Sequence, residues 1–157
     1  MKDPKKTKRN NSEVYSGTYE YYVKYRPSIP EEVIDVIVTH FDIKPSDRIL
    51  DIGCGTGQVA LAMEGMCGEM VCLDSDLEML KWAKKVTKDS KIKLTWINCN
   101  AENLGKFKEK LGIFKVATCS RAFHRMNQNQ VLKDLNELIE EDGGLAVFGD
   151  RVLWGGG

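Results

Sequence analysis

Apolar residues are spaced along this chain in two ways, and the change comes near residue 48. Upstream of it, apolar side chains recur at helical spacing behind Pro30, which predicts an amphipathic helix with one buried face. These side chains belong to Val33, Ile34, Ile37, Val38 and Phe41. A turn that contains proline is predicted at 44–47. Downstream, short apolar runs alternate with amphipathic segments, a pattern typical of strands that alternate with helices.

The downstream pattern predicts five strands separated by helices. The predicted strands are 48–52, 70–73, 94–97, 114–118 and 145–148. The predicted helices are 58–65, 76–85, 104–111 and 129–140, with Gly143 and Gly144 ending the last of them. Strands that alternate with helices form a parallel sheet with right-handed crossovers. The predicted fold class is therefore α/β, with a Rossmann-like, mostly parallel sheet and helices on both faces.

Composition narrows the classes of partner. The 157 residues carry 23 Lys and Arg against 23 Asp and Glu. A net charge of zero argues against nucleic acid as the main partner, because phosphate binding needs clustered positive charge. Only the first residues are strongly basic, so we predict a disordered basic tail over 1–14 and one domain over 15–157. With no secretory signal and no run of about 20 apolar residues, no membrane association is expected.

The cysteines predict a reducing, cytoplasmic location. They are Cys54, Cys67, Cys72, Cys99 and Cys119, an odd number without a CxxC pair. Several lie in apolar runs, so buried free thiols are expected rather than disulfides. A zinc site needs a tighter cluster of ligands than these cysteines and two histidines offer, and no metal is expected.

A glycine loop follows the first predicted strand directly. The segment 49–58 reads ILDIGCGTGQ, with alternating glycines at Gly53, Gly55 and Gly57. Glycine lets a ligand approach the main chain, and the next helix offers free N–H groups beside it. In open α/β sheets, ligands bind at the carboxyl ends of the strands. Asp51, inside the strand, could organise this loop or face a cationic ligand.

A second acid stands about 20 residues further on, where Asp74 closes the apolar run 71–73. A carboxylate there can accept hydrogen bonds from ribose hydroxyls. The alternative role for Asp74 is helix capping, for which Asp76 is the more obvious residue. Enzymes that use nicotinamide also place an acid at the end of the second strand. Their glycine pattern, GxGxxG or GxGxxA, can be read here as Gly55, Gly57 and Ala60. The loop begins at Gly53, directly after the strand, and this position fits the nicotinamide pattern less well.

These residues resemble the class I S-adenosylmethionine-dependent methyltransferases, in particular the small-molecule branch called methyltransferase type 11. ILDIGCGTG is similar to the first motif of the family, and CLDSDLEMLKWAKK to the second. Segments 100–104, 114–126 and 138–148 resemble the later motifs in order, so the resemblance covers 19–150. The cofactor carries a sulfonium and an ammonium, and an acidic loop suits both charges.

The resemblance implies a role for each matching residue. The methionine half of S-adenosylmethionine would lie on the glycine loop with its neighbours, that is on Asp51, Gly53, Cys54, Gly55 and Gly57. The ribose would lie at Asp74 and Ser75. The adenine would lie among Met79, Asn100, Ala101 and Glu102, and Ser120 would sit under the cofactor. Tyr25 and Arg26 would close over the methionine carboxylate; the alternative is that Tyr25 packs and Arg26 is solvated.

The implied acceptor site is formed by Phe123, His124 and Arg125. Relatives often have Trp where Arg125 stands, so an anionic acceptor becomes plausible here. His124 could be a general base, because its pKa is near working pH, or it could position the substrate or the loop. Lys115 replaces the usual acid before the fourth strand, at a position that we expect to be exposed.

The implied function is methyl transfer from S-adenosylmethionine to a small-molecule acceptor, with S-adenosylhomocysteine as product. The family sheet has seven strands and only five are predicted here, so we expect that the final hairpin is missing and the domain truncated. The fifth strand would then be an exposed apolar edge, through which the chain could self-associate. The alternatives are a non-catalytic S-adenosylmethionine-binding module, or subunit whose partner completes the sheet, and a nicotinamide-dependent oxidoreductase.

Overall fold

The computed structural model describes residues 29–120 and 123–149, and these residues form one five-stranded sheet flanked by helices. The strands are β1 (Arg48–Ile52), β2 (Glu69–Asp74), β3 (Lys93–Asn98), β4 (Phe114–Ser120) and β5 (Ile139–Phe148). The α-helices are α1 (Glu31–Phe41), α2 (Gln58–Ala62), α3 (Leu77–Val86), α4 (Lys108–Leu111) and α5 (Gln128–Leu135). A 3₁₀ helix at Ala101–Phe107 precedes α4, and a 3₁₀ turn at Phe123–Arg125 follows β4.

The strand order is β3-β2-β1-β4-β5, and every neighbouring pair is parallel. After β1, the strands β2 and β3 extend the sheet on one side of β1, and β4 and β5 then extend it on the other side. The point of return between β1 and β4 is the topological switch point, where open α/β sheets bind ligands at the carboxyl ends of the strands. The predicted α/β class and parallel sheet are confirmed.

Two clusters of buried apolar residues cover the two faces of the sheet. Successive side chains of a strand point to opposite faces, and accordingly Ile49 of β1 joins one cluster and Leu50 the other. The first cluster includes Ile34 and Ile37 from α1. The second includes Val131 from α5. Helices therefore pack on both faces, as the sequence predicts.

The predicted helix 129–140 is wrong at its end, because α5 stops at Leu135 and β5 already begins at Ile139. Leu138 and Ile139 continue the helical spacing of α5, but the main chain instead pairs with β4, where the Phe114 N–H donates to the Leu138 carbonyl at 2.7 Å. Apolar spacing alone does not distinguish these outcomes.

Gly143 and Gly144 therefore lie inside β5 rather than at a helix end. The pairing jumps from Phe114–Ile139 to Val116–Gly144, so β5 carries extra residues opposite Lys115. A Cβ on Gly143 would stand 1.9 Å from the Lys115 carbonyl oxygen. Glycine is required here because β5 passes against the backbone of β4.

The expectation that Lys115 is exposed is also wrong. Its side chain is 11% exposed and forms ion pairs with Asp142 at 2.8 Å and Glu140 at 3.6 Å, both in the irregular part of β5. The hydrogen bond between Lys115 and Asp142 raises the pKa of the lysine and lowers the pKa of the aspartate. The ammonium of Lys115 thus stabilises the irregular segment of the edge strand.

Two predicted helices differ from the structure in extent. The helix predicted at 58–65 ends at Ala62, before Gly65 with its φ of 82°. The helix predicted at 104–111 divides into the 3₁₀ helix and the short α4. Gly105 lies in that 3₁₀ helix close to Asp134, whose Oδ1 would be 2.7 Å from an added Cβ. The absence of a side chain at Gly105 thus lets the 3₁₀ helix pack closely against α5.

Candidate cofactor site at the switch point

The glycine loop turns sharply at the carboxyl end of β1. Gly53, Gly55 and Gly57 have φ angles of 65°, 54° and 82°, in the left-handed region that favours glycine. The loop is fastened to the neighbouring strand, because the Cys54 N–H donates to the Leu73 carbonyl at 2.8 Å. The alternation of glycines in the sequence thus reflects three backbone angles that other residues adopt at a cost.

Two of these glycines serve different purposes. A Cβ on Gly57 would lie 3.3 Å from the Ala83 Cβ and 3.4 Å from the Thr87 Cγ2, so this glycine lets α2 start against α3. A Cβ on Gly55 would have nothing within 4 Å. Gly55 therefore faces open space, and a ligand can approach the main chain there.

Asp74, at the end of β2, connects the glycine loop to the start of α3. Its Oδ2 accepts a hydrogen bond from the Gly55 N–H, and its Oδ1 accepts one from the Asp76 N–H, both at 2.8 Å. The N-cap of α3 is Asp76, whose Oδ1 accepts from the N–H groups of Glu78 and Met79. The carboxylate of Asp74 thus organises the loop, a role that the sequence analysis had offered to Asp51.

Asp51 lies beneath the loop and is completely buried. The Thr118 hydroxyl donates to its Oδ1 at 2.8 Å, while its Oδ2 has no hydrogen-bond partner in the described part of the chain. Burial raises the pKa of Asp51 to about 7; the Thr118 hydrogen bond acts in the opposite direction, and the charge of Asp74 raises it further. Thr118 is a partner that the sequence analysis missed, because only the register of β1 with β4 brings it opposite Asp51.

Two thiols complete the surroundings of Asp51. None of the five cysteines forms a disulfide, and all but Cys99 are buried. Cys72 stands opposite Asp51 in the β1–β2 pairing. Burial raises the pKa of Cys54 well above its usual value, and a hydrogen bond with the Cys72 thiol adds to the effect. The Cys54 thiol is therefore neutral and does not supply charge to the site.

The residues predicted around the adenine lie beside Asp74 at the same edge of the sheet. Met79 in α3 and Ala101 in the 3₁₀ helix are both buried, at 8% and 9% exposure, whereas Ser75 and Asn100 are exposed. The Asp74 carbonyl accepts hydrogen bonds from the Asn98 side chain and the Cys99 N–H. The end of β3 is thus fixed against the end of β2.

Glu102 has a structural partner that the sequence did not reveal. Its Oε1 accepts a hydrogen bond from the Asn127 N–H at 2.9 Å. Asn127 is in turn the N-cap of α5, accepting from the Gln130 N–H. Glu102 thereby joins the 3₁₀ helix after β3 to the segment after β4.

The predicted acceptor residues follow β4. Ser120 ends this strand, half-buried and opposite Phe148 of β5. Phe123, His124 and Arg125 form the 3₁₀ turn, in which Phe123 packs on the second core cluster and Arg125 is exposed. Tyr25, Arg26 and the predicted tail 1–14 lie outside the described residues.

Two kinds of feature are missing from residues 29–120 and 123–149. No cluster of three or more His, Cys, Asp or Glu there could hold a metal ion. None of the described helices combines the length and apolarity needed to cross a membrane.

The sequence and the fold define the class of protein. The methyltransferase domain family matches residues 49–143, more than half of the chain, and the chain belongs to this family. Its class is that of the class I S-adenosylmethionine-dependent methyltransferases, with the Rossmann-like sheet described above.

Individual relatives are longer than this chain. A Saccharomyces cerevisiae protein named "Probable S-adenosylmethionine-dependent methyltransferase" is 26% identical over 82% of this chain and 44% of its own length. An uncharacterized protein of Methanocaldococcus jannaschii is 31% identical over 81% of this chain and 49% of its own length. The chain thus spans about half the length of these relatives.

Among solved structures, a methyltransferase from Thiobacillus denitrificans in complex with S-adenosyl-L-homocysteine has the same fold. It matches with a TM-score of 0.64 and 14% identity, over 85% of this chain and 54% of that one.

Proposed function

We propose that this chain binds S-adenosylmethionine at the carboxyl ends of β1, β2 and β4 and directs its methyl group to a small-molecule acceptor. The observation that carries the proposal is the Asp74 carboxylate, which holds Gly55 of the glycine loop at the switch point of the sheet. Family membership and the ligand named with the Thiobacillus structure support the same cofactor.

The charges of the site fit this cofactor. S-adenosylmethionine carries two positive groups, and the buried Oδ2 of Asp51 has no partner in the described residues. A cationic ligand beside the loop would supply the compensating charge that burial of a carboxyl group requires. A pyrophosphate beside an ionised Asp51 would be repelled. Asp51 therefore favours a sulfonium cofactor over a dinucleotide, whereas Asp74 suits the ribose of either.

Each part of the cofactor has residues that would hold it. The glycine loop would hold the methionine half, Asp74 and Ser75 the ribose, and Ser120 would lie beneath. Met79, Asn100, Ala101 and Glu102 would surround the adenine. When bound, the cofactor supplies a methyl group activated by the sulfonium. The protein supplies orientation and exclusion of water.

The acceptor residues favour a small anion. Arg125 is exposed in the turn that follows β4, where its guanidinium could pair with a carboxylate or phosphate of the acceptor. His124, in the same turn, would position the acceptor or take its proton. A base is needed only if the acceptor must lose a proton during transfer.

Calorimetric titration tests the cofactor. We expect saturable binding of S-adenosylmethionine and S-adenosylhomocysteine and none of NADH. Asp74→Ala should weaken binding of the first two, whereas Asp89→Ala, which removes an exposed acid after α3, should not. Binding of NADH alone, or equal effects of the two variants, would contradict the proposed cofactor site.

Transfer of a labelled methyl group tests the acceptor. We expect turnover with small acids in preference to their amides or esters, and we expect Arg125→Gln to reduce this preference. Lys106→Gln, at an exposed lysine of the 3₁₀ helix, serves as the control for lost surface charge. Cofactor binding without turnover on any acceptor would favour the alternative of a non-catalytic module.

The outer edge of β5 supports a proposal of self-association. No described strand pairs with this edge, and Val147 on it is 39% exposed. Light scattering across protein concentrations tests it: we expect a dimer that Val147→Lys disrupts, and a concentration-independent monomer would contradict it.

We also propose a cytoplasmic location, supported by five cysteines that form no disulfide. Fractionation of cells that express the protein tests this location. Recovery outside the cytoplasm would contradict it.

A further inference from the structure

We propose that Asp51 holds a proton in the ligand-free protein and releases it when the cationic cofactor occupies the glycine loop. This inference rests on the proposed function, because it concerns the same cofactor. It adds a coupling between cofactor binding and proton release that neither the fold nor the family membership requires.

The surroundings of Asp51 favour its protonated form. The charge of the Asp74 carboxylate from β2 acts on Asp51, Asp51 in turn acts on the Cys54 thiol of the loop, and Cys72 of β2 stands opposite it. From β4, Thr118 donates one hydrogen bond to Oδ1. Among residues 29–120 and 123–149, no cation contributes to the shift of the Asp51 pKa. A buried carboxylate whose second oxygen lacks a partner is costly, so a proton on Oδ2 lowers the free energy of the site.

A bound cofactor would reverse this preference. Asp51 stands two residues before Gly53, where the loop begins, and the Asp74 carboxylate whose charge acts on it also accepts a hydrogen bond from the Gly55 N–H of the loop. A positive group on the loop favours the ionised carboxylate. The O–H bond of Asp51 then breaks, the proton passes to the buffer, and the positive charge of the ligand replaces the proton. The net charge of the site is unchanged.

The coupling makes the affinity depend on pH. Burial raises the pKa of Asp51 to about 7. Below that pH, binding must displace the proton, so the affinity falls by up to about tenfold for each pH unit and close to one proton is released. Above about pH 7, Asp51 is already ionised, so binding releases no proton from it and the affinity no longer depends on pH through this residue.

Calorimetry at about pH 6 in buffers of different ionisation enthalpy counts the protons released on binding of S-adenosylmethionine. We expect close to one proton for the wild type and a strongly reduced count for Asp51→Asn, which preserves the volume and an acceptor for Thr118. His40→Gln, a change at an exposed residue of α1, should retain the wild-type count.

Thr118→Val provides a second variant in case Asp51→Asn does not fold. It removes the hydrogen bond that lowers the pKa of Asp51, so the pH below which affinity falls should move upward. A merely structural role of Thr118 would weaken binding equally at every pH. Infrared difference spectra should also show a protonated carboxyl band that disappears when the cofactor is added.

The outcomes separate the two proposals. Absence of cofactor binding at any pH overturns the proposed function and this inference with it. Binding with the same proton count in wild type and Asp51→Asn, or without a protonated carboxyl band in the ligand-free protein, overturns the inference and leaves the proposed function in place.

Discussion

The Gly55 N–H donates a hydrogen bond to the Asp74 Oδ2 at 2.8 Å, so the tip of the glycine loop is held by the last residue of β2. The other oxygen of the same carboxylate accepts from the Asp76 N–H at the start of α3. One side chain therefore fixes the relative positions of the loop after β1 and the helix after β2. These are the two elements between which the proposed cofactor would lie.

Replacing Asp74 should weaken cofactor binding more than it weakens the fold. Hydrogen bonds to charged groups contribute about 1.5–3 kcal/mol, so we expect Asp74→Ala to reduce affinity by roughly 10- to 100-fold. Asp76→Asn is the matched control, because asparagine caps helices about as well as aspartate. Calorimetry measures both variants, and an equal loss in Asp76→Asn would show that the Asp74 carboxylate has no special role.

Replacing single glycines with alanine should show which of them matter for stability and which for cofactor binding. Gly57→Ala should be the more destabilising change, because it combines a strained φ with contacts of 3.3 Å and 3.4 Å to α3 and the residue after it. Gly65→Ala has the same φ of 82° in open space, so it should cost only the strain, about 1–2 kcal/mol. Denaturant unfolding measures the free energy of unfolding of both variants, and the difference between them is the cost of the close contacts at position 57.

Gly55→Ala should behave differently from both. Its Cβ would meet no protein atom within 4 Å, so the cost to the fold should resemble that of Gly65→Ala. The added methyl group would occupy the space through which a ligand approaches the main chain. We therefore expect a loss of cofactor affinity in Gly55→Ala that Gly65→Ala does not share. Equal affinities in calorimetric titration would place the ligand elsewhere.

Asp51 should make the ligand-free protein less stable as the pH rises. Its pKa is about 7 in the folded chain and about 3.9 when unfolded, so the folded state binds the extra proton between these values. The free energy of unfolding then falls with rising pH in that window and levels off above it. Relative to Asp51→Asn, we expect the wild type to lose about 3 kcal/mol between about pH 5 and pH 8.

Urea unfolding of wild type and Asp51→Asn at several pH values measures this difference. The comparison cancels the titration of all other groups, provided that both proteins unfold in one step. A difference that does not change with pH would mean that Asp51 ionises normally in the folded protein.

Gly143→Ala should disrupt the edge of the sheet. The new Cβ would stand 1.9 Å from the Lys115 carbonyl oxygen, a backbone atom that can move only with β4. We expect loss of β4–β5 pairing, seen as rapid exchange of the amide hydrogens of β5. Gly149→Ala, where a Cβ meets nothing within 4 Å, should leave exchange unchanged. Protected β5 amides in Gly143→Ala would contradict the close approach of the two strands.

The sequence was sufficient to predict the parallel sheet and the position of the glycine loop, since both follow from local patterns. The strand starts at 48 and 114 were correct, because each apolar run there is short and bounded. The start of β5 was not, because Leu138 and Ile139 suit either element. The pairing of this segment with β4, which is irregular between Ile139 and Gly144, decides between them.

The partners of the site residues were less predictable. Thr118 meets Asp51 across 67 residues of chain, through a strand register that no local pattern encodes. The contact between Glu102 and Asn127 is of the same kind. The burial of Lys115 was missed because its two acidic partners lie in the irregular part of β5. The roles assigned to site residues by resemblance stay predictions.

The pairing of β1 with β4 also has a consequence for the order of folding. β1 meets β2 over a separation of 21 residues but meets β4 over 67. Closing the longer loop costs more entropy, so the half of the sheet formed by β1, β2 and β3 should assemble first. Until β4 docks, Asp51 remains open to water and ionised. Between about pH 4 and pH 7 the docking step must therefore take up a proton, and refolding should slow as the pH rises through that window.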